Sequence, residues 1–174
     1  MTPLGHASIA FLTGIAITKL LPTTLNPLIE ASAITVGGVI PDADLLYRFY
    51  QKGKNVFDKT IGKHRFFPSH TPIATFLLSL PVMVFSWRIG LIFFIGTLIH
   101  LFLDTLFFPE GINFTYPINR QMTHLFTIKT HKFWAPKEVS GVKNWHKNYL
   151  SSPLFWIFEA LPTAVAIVVL LRLI

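Results

Sequence analysis

Five apolar stretches separated by polar ones decide what this chain can become. Residues 3–21, 26–40, 72–87, 89–108 and 153–171 are rich in Ile, Leu, Val, Ala and Phe, and none holds more than two ionisable side chains. About 20 mostly apolar residues cross the hydrocarbon core of a bilayer as a helix. The pattern predicts an all-α integral membrane bundle of about five transmembrane helices. It forms a single membrane-embedded domain over residues 1–174, with two long basic loops at 47–71 and 109–152. The second stretch is the weakest, since it contains Glu30 and the pair Gly37–Gly38. The fifth contains Pro162, which predicts a kink there. The first has no Lys or Arg before Lys19. It lacks the basic leader of a signal peptide and is expected to be a retained helix.

Composition agrees. The apolar share is 52% and the charged share 13%, the latter about half the usual ~25%. Mean hydropathy is +0.54. The chain has no Cys, which excludes disulfides and thiolate metal sites. Any metal must be held by His, Asp or Glu, which suits Zn, Mn, Fe or Mg. The net charge of +7 invites a nucleic-acid reading, but topology accounts for it. With five spans, the N-terminus and both long loops share one side. That side carries twelve of the Lys and Arg residues against three on the other, Lys19, Arg88 and Arg172. The positive-inside rule makes the basic side cytoplasmic. Its lysines and arginines would meet anionic lipid headgroups, and no nucleic-acid partner is expected. The expected location is the inner membrane of the cell, multi-pass. Oligomeric state is not legible.

The same parity gathers the unusual polar residues. His6 opens the first span, Asp42 and Asp44 close the second, the run from His64 to His70 precedes the third, and His100 and Asp104 lie in the second half of the fourth. Four of the seven His and three of the four Asp are in these clusters, and all four clusters fall on the cytoplasmic side. His100 and Asp104 are four apart on a helical segment, so they face the same way one turn apart. Ionisable groups at membrane depth default to a functional reading, although a His–Asp hydrogen bond stapling two helices is the plain alternative. Asp42 and Asp44 can share a cation that offsets their repulsion, or one can cap a short helix through Leu45, Leu46 and Tyr47. His64 and His70 flank a Pro-containing loop and can converge on one ion, or can be two surface histidines. Arg65 offers a guanidinium fork for phosphate oxygens. His6 carries least weight, because a His at a membrane interface is ordinary. His124, His131 and His146 show no ligand spacing and read as solvated.

Seven candidate ligands exceed the three of a catalytic zinc site, so two ions bridged by a carboxylate of Asp42, Asp44 or Asp104 are a natural arrangement. Such a centre clamps the attacking and leaving oxygens of a phosphoryl transfer and activates water.

Gly5-His6, Gly38-Val39-Ile40-Pro41-Asp42-Ala43-Asp44, His64-Arg65 with Ser69-His70-Thr71, residues 96–104 as GTLIHLFLD and residues 111–117 as GINFTYP together resemble the YdjM-like family of membrane-bound metal-dependent hydrolases. The resemblance covers about residues 1–120, leaving the loop and terminal helix of 121–174 unmatched. It implies a distant similarity to zinc-dependent phospholipase C and the P1-type nucleases, and hence a phosphodiester or phospholipid substrate. It carries over His6, Asp42, Asp44, His64, His70, His100 and Asp104 as metal ligands; among the residues themselves, Asp44, Arg65 and His70 are the expected catalytic set. The implied cofactor is a divalent metal, Zn first, one to three ions, with Mn or Mg as alternatives. Two other readings use the same residues. A metal-ion or proton transporter would add Glu30 and Glu159 to the path and break a helix at Gly37–Gly38. A non-catalytic scaffold would hold a closed, structural metal. Both glutamates can instead hydrogen-bond within the bundle, and the glycine pair can serve close helix packing.

Overall fold

The computed structural model describes residues 2–21, 26–44, 50, 68–107, 111–119, 121, 150 and 153–173. Among these the chain is all-helical, with no strand. Four helices are α1 (Pro3–Leu20), α2 (Pro27–Val39), α3 (Pro72–Phe85) and α4 (Trp87–Phe107). A fifth segment, α5, runs through Pro153–Phe155, Trp156–Ala160 and Leu161–Leu171. Short 3₁₀ turns at Ile40–Asp42 and Pro68–His70 end α2 and lead into α3.

Three helices start on the same grammar. Thr2, Asn26 and Thr71 each precede a proline, and each side-chain oxygen accepts a backbone N–H of the first turn, from Gly5, Leu28 and Ala74 respectively. Such a cap satisfies one of the donors a helix start leaves open, and proline at the first position lacks one of those donors anyway. Ser86, in extended conformation, separates α3 from α4. In the sequence the third and fourth apolar stretches part at Arg88. Arg88 nonetheless lies in the first turn of α4, where its guanidinium meets Glu30 of α2, 2.6 Å from Nε to Oε1. The expected kink at Pro162 takes the form of a π turn over Trp156–Ala160. Proline has no N–H to return to the preceding turn, and just before it Leu161 N–H reaches back five residues to Trp156 O.

α5 lies against α1, α1 against α2, α2 against α4, and α4 against α3, while α1 also reaches α4. Directions alternate along the chain. Ala10 meets Gly38 and Gly14 meets Ile34, so α1 and α2 are antiparallel. Glu30 meets Arg88 and Gly38 meets His100, so α2 and α4 are parallel. Thr2 meets Glu159 and Ser8 meets Thr163, so α1 and α5 are parallel. The α2–α4 contact is backbone on backbone. A Cβ at Gly37 would fall on the carbonyl of Phe93, and one at Gly96 on the carbonyl of Ile34. The glycine pair therefore serves close packing, not a helix break.

The interior is more polar than apolar. Among the described residues, fourteen buried side chains are polar or charged and ten are apolar. Large apolar side chains point outward instead, including Phe76, Leu77, Val84 and Phe85 on α3 and Trp156, Leu161 and Leu171 on α5. Contiguous exposed apolar faces on helices are unusual for a soluble monomer and mark contact with lipid or protein. The buried hydroxyls are satisfied by their own helices: Ser79 donates to Thr75 O, Thr97 to Phe94 O and Thr105 to Phe102 O.

The expectation of five spans meets a stricter measure. Among the described residues, only Trp87–Leu106 is long and apolar enough to cross a membrane by length and composition. α2 and α3 have 13 and 14 residues, about 20 Å each at 1.5 Å per residue, short of the ~30 Å hydrocarbon core.

Candidate metal centre

The alternation of helix directions brings one end of each of the first four helices together. His6 comes from the first turns of α1, Asp42 from the turn closing α2, His70 from the turn opening α3, and His100 and Asp104 from the second half of α4. All five are at most 5% exposed.

His100 is the best-fixed member. Its Nδ1 lies 2.8 Å from Gly38 O. A carbonyl oxygen only accepts, so Nδ1 carries the proton and Nε2 presents a lone pair inward. Gly38 O is one of the last carbonyls of α2, which the helix itself leaves open. It comes within reach because Gly37, Gly38 and Gly96 let the two backbones approach. His70 has the matching arrangement, with Nδ1 3.0 Å from Ser69 Oγ and Nε2 facing the centre. Anchoring the far ring nitrogen in this way fixes the orientation of metal-ligating histidines.

The inward atoms have the spacing of ligands around an ion. His70 Nε2 and His100 Nε2 are 3.4 Å apart. Asp42 Oδ1 lies 3.4 Å from the first and 3.7 Å from the second. Asp104 Oδ2 lies 3.8 Å from the first and 3.7 Å from the second. Two triangles therefore share the edge between the histidines. Charge-assisted hydrogen bonds run about 2.7–2.9 Å, so these contacts are long for direct pairing. The edge of a tetrahedral zinc site with bonds near 2 Å is about 3.3 Å, which the distances match far better.

His6 extends the group. Its ring stacks on His100 at 3.9 Å between centroids and 22° between planes, and its Nε2 is 3.3 Å from Asp104 Oδ1. Neither ring nitrogen of His6 makes a hydrogen bond, although the side chain is fully buried. Asp104 thus turns one oxygen to His6 and the other to His70 and His100, the posture of a bridging carboxylate. Asp44, half-buried, falls with Asp42 and His70 in a set whose ligand atoms lie within 4.8 Å of one another. His6–Asp42–His100 and His70–His100–Asp104 form two further sets of that kind. The donor set, buried imidazoles and carboxylates without thiolate, fits Zn or another divalent ion.

Of the residues expected from sequence, His6, Asp42, Asp44, His70, His100 and Asp104 come together. His64 and Arg65 lie outside the described residues, as do His124, His131 and His146 and the short helix expected after Asp44. His6, ranked last from sequence, sits inside the cluster because α1 packs on both α2 and α4. Sequence reasoning missed the supporting partners Gly38 O and Ser69. Ser69, directly before His70, was visible. The carbonyl of Gly38 becomes a partner only through helix packing.

Fold and centre together define a helical protein with an apolar exterior and a buried His/Asp group able to hold a metal ion. The chain belongs to the YdjM family: the sequence model of the YdjM inner membrane protein family matches residues 1–173. The match reaches beyond residue 120, so α5 and the preceding loop belong to the family as well. Comparison with curated proteins and with solved structures gives no match, so the distant similarity to zinc-dependent phospholipase C and P1-type nucleases has no support among these comparisons.

Proposed function

We propose that the protein is a multi-pass inner-membrane hydrolase that uses one or two divalent ions, Zn first, to cleave a phosphoester, with a phospholipid headgroup as the substrate class. The observation that carries the proposal is the double triangle of His70, His100, Asp42 and Asp104, with spacings of 3.4–3.8 Å in a buried site. Such an ion supplies an activated water and offsets charge on the phosphoester.

The protein's own residues take the following roles. His70, His100, Asp42 and Asp104 would hold a first ion. His6 and Asp104 Oδ1, the carboxylate oxygen that faces it, would serve a second. Asp44, half-buried beside Asp42 and His70, accepts the proton from water. Arg65, on sequence grounds alone, binds phosphate oxygens. His70 is assigned as a ligand ahead of an acid–base role, since its Nε2 faces the other donors.

Alternating helix directions and the apolar exterior support a multi-pass bundle, with α2 and α3 lengthened by flanking residues or set in locally thinned bilayer. The basic loops support a cytoplasmic centre. The transporter reading loses its intramembrane acids to local partners, since Glu30 binds Arg88 and Glu159 binds Thr2.

Purified protein assayed for metal content and for release of headgroup from anionic phospholipid vesicles tests the proposal. Stoichiometric metal with metal-dependent cleavage that is lost in His100→Ala supports it. Metal without cleavage of any phosphoester overturns the hydrolase reading and leaves a structural or transport role.

A further inference from the structure

The buried acids among the described residues are Glu30, Asp42, Asp104 and Glu159. Asp42 and Asp104 belong to the centre, and Glu30 holds Arg88. Glu159 belongs to neither. It sits in the π turn of α5 and grips the residue that starts α1. Thr2 N–H donates to Glu159 Oε1 at 2.6 Å, and Thr2 Oγ1 donates to Oε2 at 2.7 Å. Thr2 in turn builds the first turn of α1. Its Oγ1 accepts from Gly5 N–H, and its carbonyl accepts from His6 N–H at 3.2 Å. Further along both helices, Ser8 Oγ donates to Leu4 O and Thr163 Oγ1 donates to Ser8 Oγ, completing a second polar rung between α1 and α5.

His6 needs such support more than its neighbours do. His100 is oriented by Gly38 O and His70 by Ser69 Oγ. His6 has no such anchor: its Nε2 meets Asp104 Oδ1 at 3.3 Å and its ring stacks on His100, both members of the centre itself, so its place beside them is set by its backbone. We infer that Glu159 is a positioning residue for the metal centre: it clamps Thr2, fixes the first turn of α1, and so stations His6 beside Asp104. A carboxylate at a helix N-terminus also suits the positive end of the helix dipole. α5 then contributes no described ligand, yet the centre depends on it. The part of the inference that concerns a bound ion rests on the proposed metal reading, while the clamp on α1 does not.

The chain has no Cys, so single thiols report cleanly. His6→Cys and, separately, Ala10→Cys are made in the full-length protein, alone and with Glu159→Ala or Glu159→Gln, and alkylated with N-ethylmaleimide in detergent. Both sites are buried, so both parent thiols react slowly. Glu159→Ala speeds alkylation at position 6 by at least about tenfold, the scale set by losing a capped turn and two charge-assisted hydrogen bonds. Glu159→Gln, which still bonds Thr2, restores protection, and position 10 stays slow throughout. An unchanged rate at position 6, or a rate at position 10 that rises in step with it, overturns the inference.

A second arm adds cobalt(II) to protein retaining His6 and reads its visible d–d bands. Glu159→Ala alters the bands as His6→Ala does, Glu159→Gln does not, and the double variant Glu159→Ala/His6→Ala matches His6→Ala alone. Additive changes overturn the coupling. If the unmodified protein binds no cobalt, the metal reading falls, and the alkylation rates still decide for or against the clamp.

Discussion

Gly96→Ala adds one methyl group where α2 and α4 touch backbone to backbone. The new Cβ would fall on Ile34 O and lie 3.0 Å from Gly38 N. Both neighbours are main-chain atoms of a packed helix, so neither can swing aside as a side chain would. Ordinary contact requires α2 to retreat by about 1 Å, and overpacking of this kind costs about 1–3 kcal/mol. The retreat carries Gly38 O away from His100. A bond of 2.8 Å lengthened by about 1 Å is no longer a hydrogen bond. His100 then loses the partner that fixes its tautomer and orientation, and losing such a partner lowers metal affinity about 10–100-fold. Zinc titration in detergent, followed by chelator competition, measures the affinity, and thermal unfolding by circular dichroism measures the fold. Gly90→Ala is the control. It crowds Met83 at the far end of the α3–α4 pair and should lower stability without touching affinity. If Gly96→Ala binds zinc as tightly as the unmodified protein while its unfolding temperature falls, the reasoning from helix approach to site geometry is wrong.

Three further outcomes are expected. Asp104→Asn keeps the shape of the side chain but removes the charge shared between His6 and the His70–His100 pair, so elemental analysis should find metal reduced by at least one equivalent with helicity unchanged. Metal should be released on acidification, because ligating imidazoles must be neutral and protons compete with the ion for His70 and His100. A metal content that acid does not lower would exclude histidine ligation. Arg88→Leu leaves the fully buried Glu30 without its guanidinium and should destabilise the fold by about 3 kcal/mol, while Glu30→Leu/Arg88→Leu should recover most of the loss. Denaturation in mixed micelles measures both.

What could be read from the chain beforehand was local or rested on parity. The apolar runs begin at Pro3, Asn26, Pro72 and Pro153, within one residue of where the helices begin. The grouping of His6, Asp42, His70, His100 and Asp104 followed from counting spans, because odd and even helices must present opposite ends to the same side. What could not be read was pairing across distance. Arg88 finds Glu30 across 58 positions, and Thr2 finds Glu159 across 157, and no local pattern announces either. Gly37–Gly38 left two readings open, and only the position of Gly96 on the facing helix decides between them. His6 was undervalued for a related reason, since its importance comes from α1 packing against two other helices rather than from its neighbours in sequence.

The polar interior makes the centre distinctive. A helix that buries Ser or Thr can satisfy the hydroxyl on its own carbonyl one turn back, and Ser8, Ser79, Thr97 and Thr105 all do so. Those residues let helices pack closely without asking anything of their neighbours. Imidazole and carboxylate cannot be satisfied that way, because their polar atoms reach past the backbone of their own helix. His6, Asp42, His70, His100 and Asp104 must therefore be served by one another, by neighbouring elements or by an ion. Contacts of 3.3–3.8 Å are too long for mutual hydrogen bonding to be the main answer. They match the distances between atoms that share a metal. The α2–α4 glycines and the Thr2–Glu159 clamp then acquire a common role: each fixes the backbone from which one of these side chains extends.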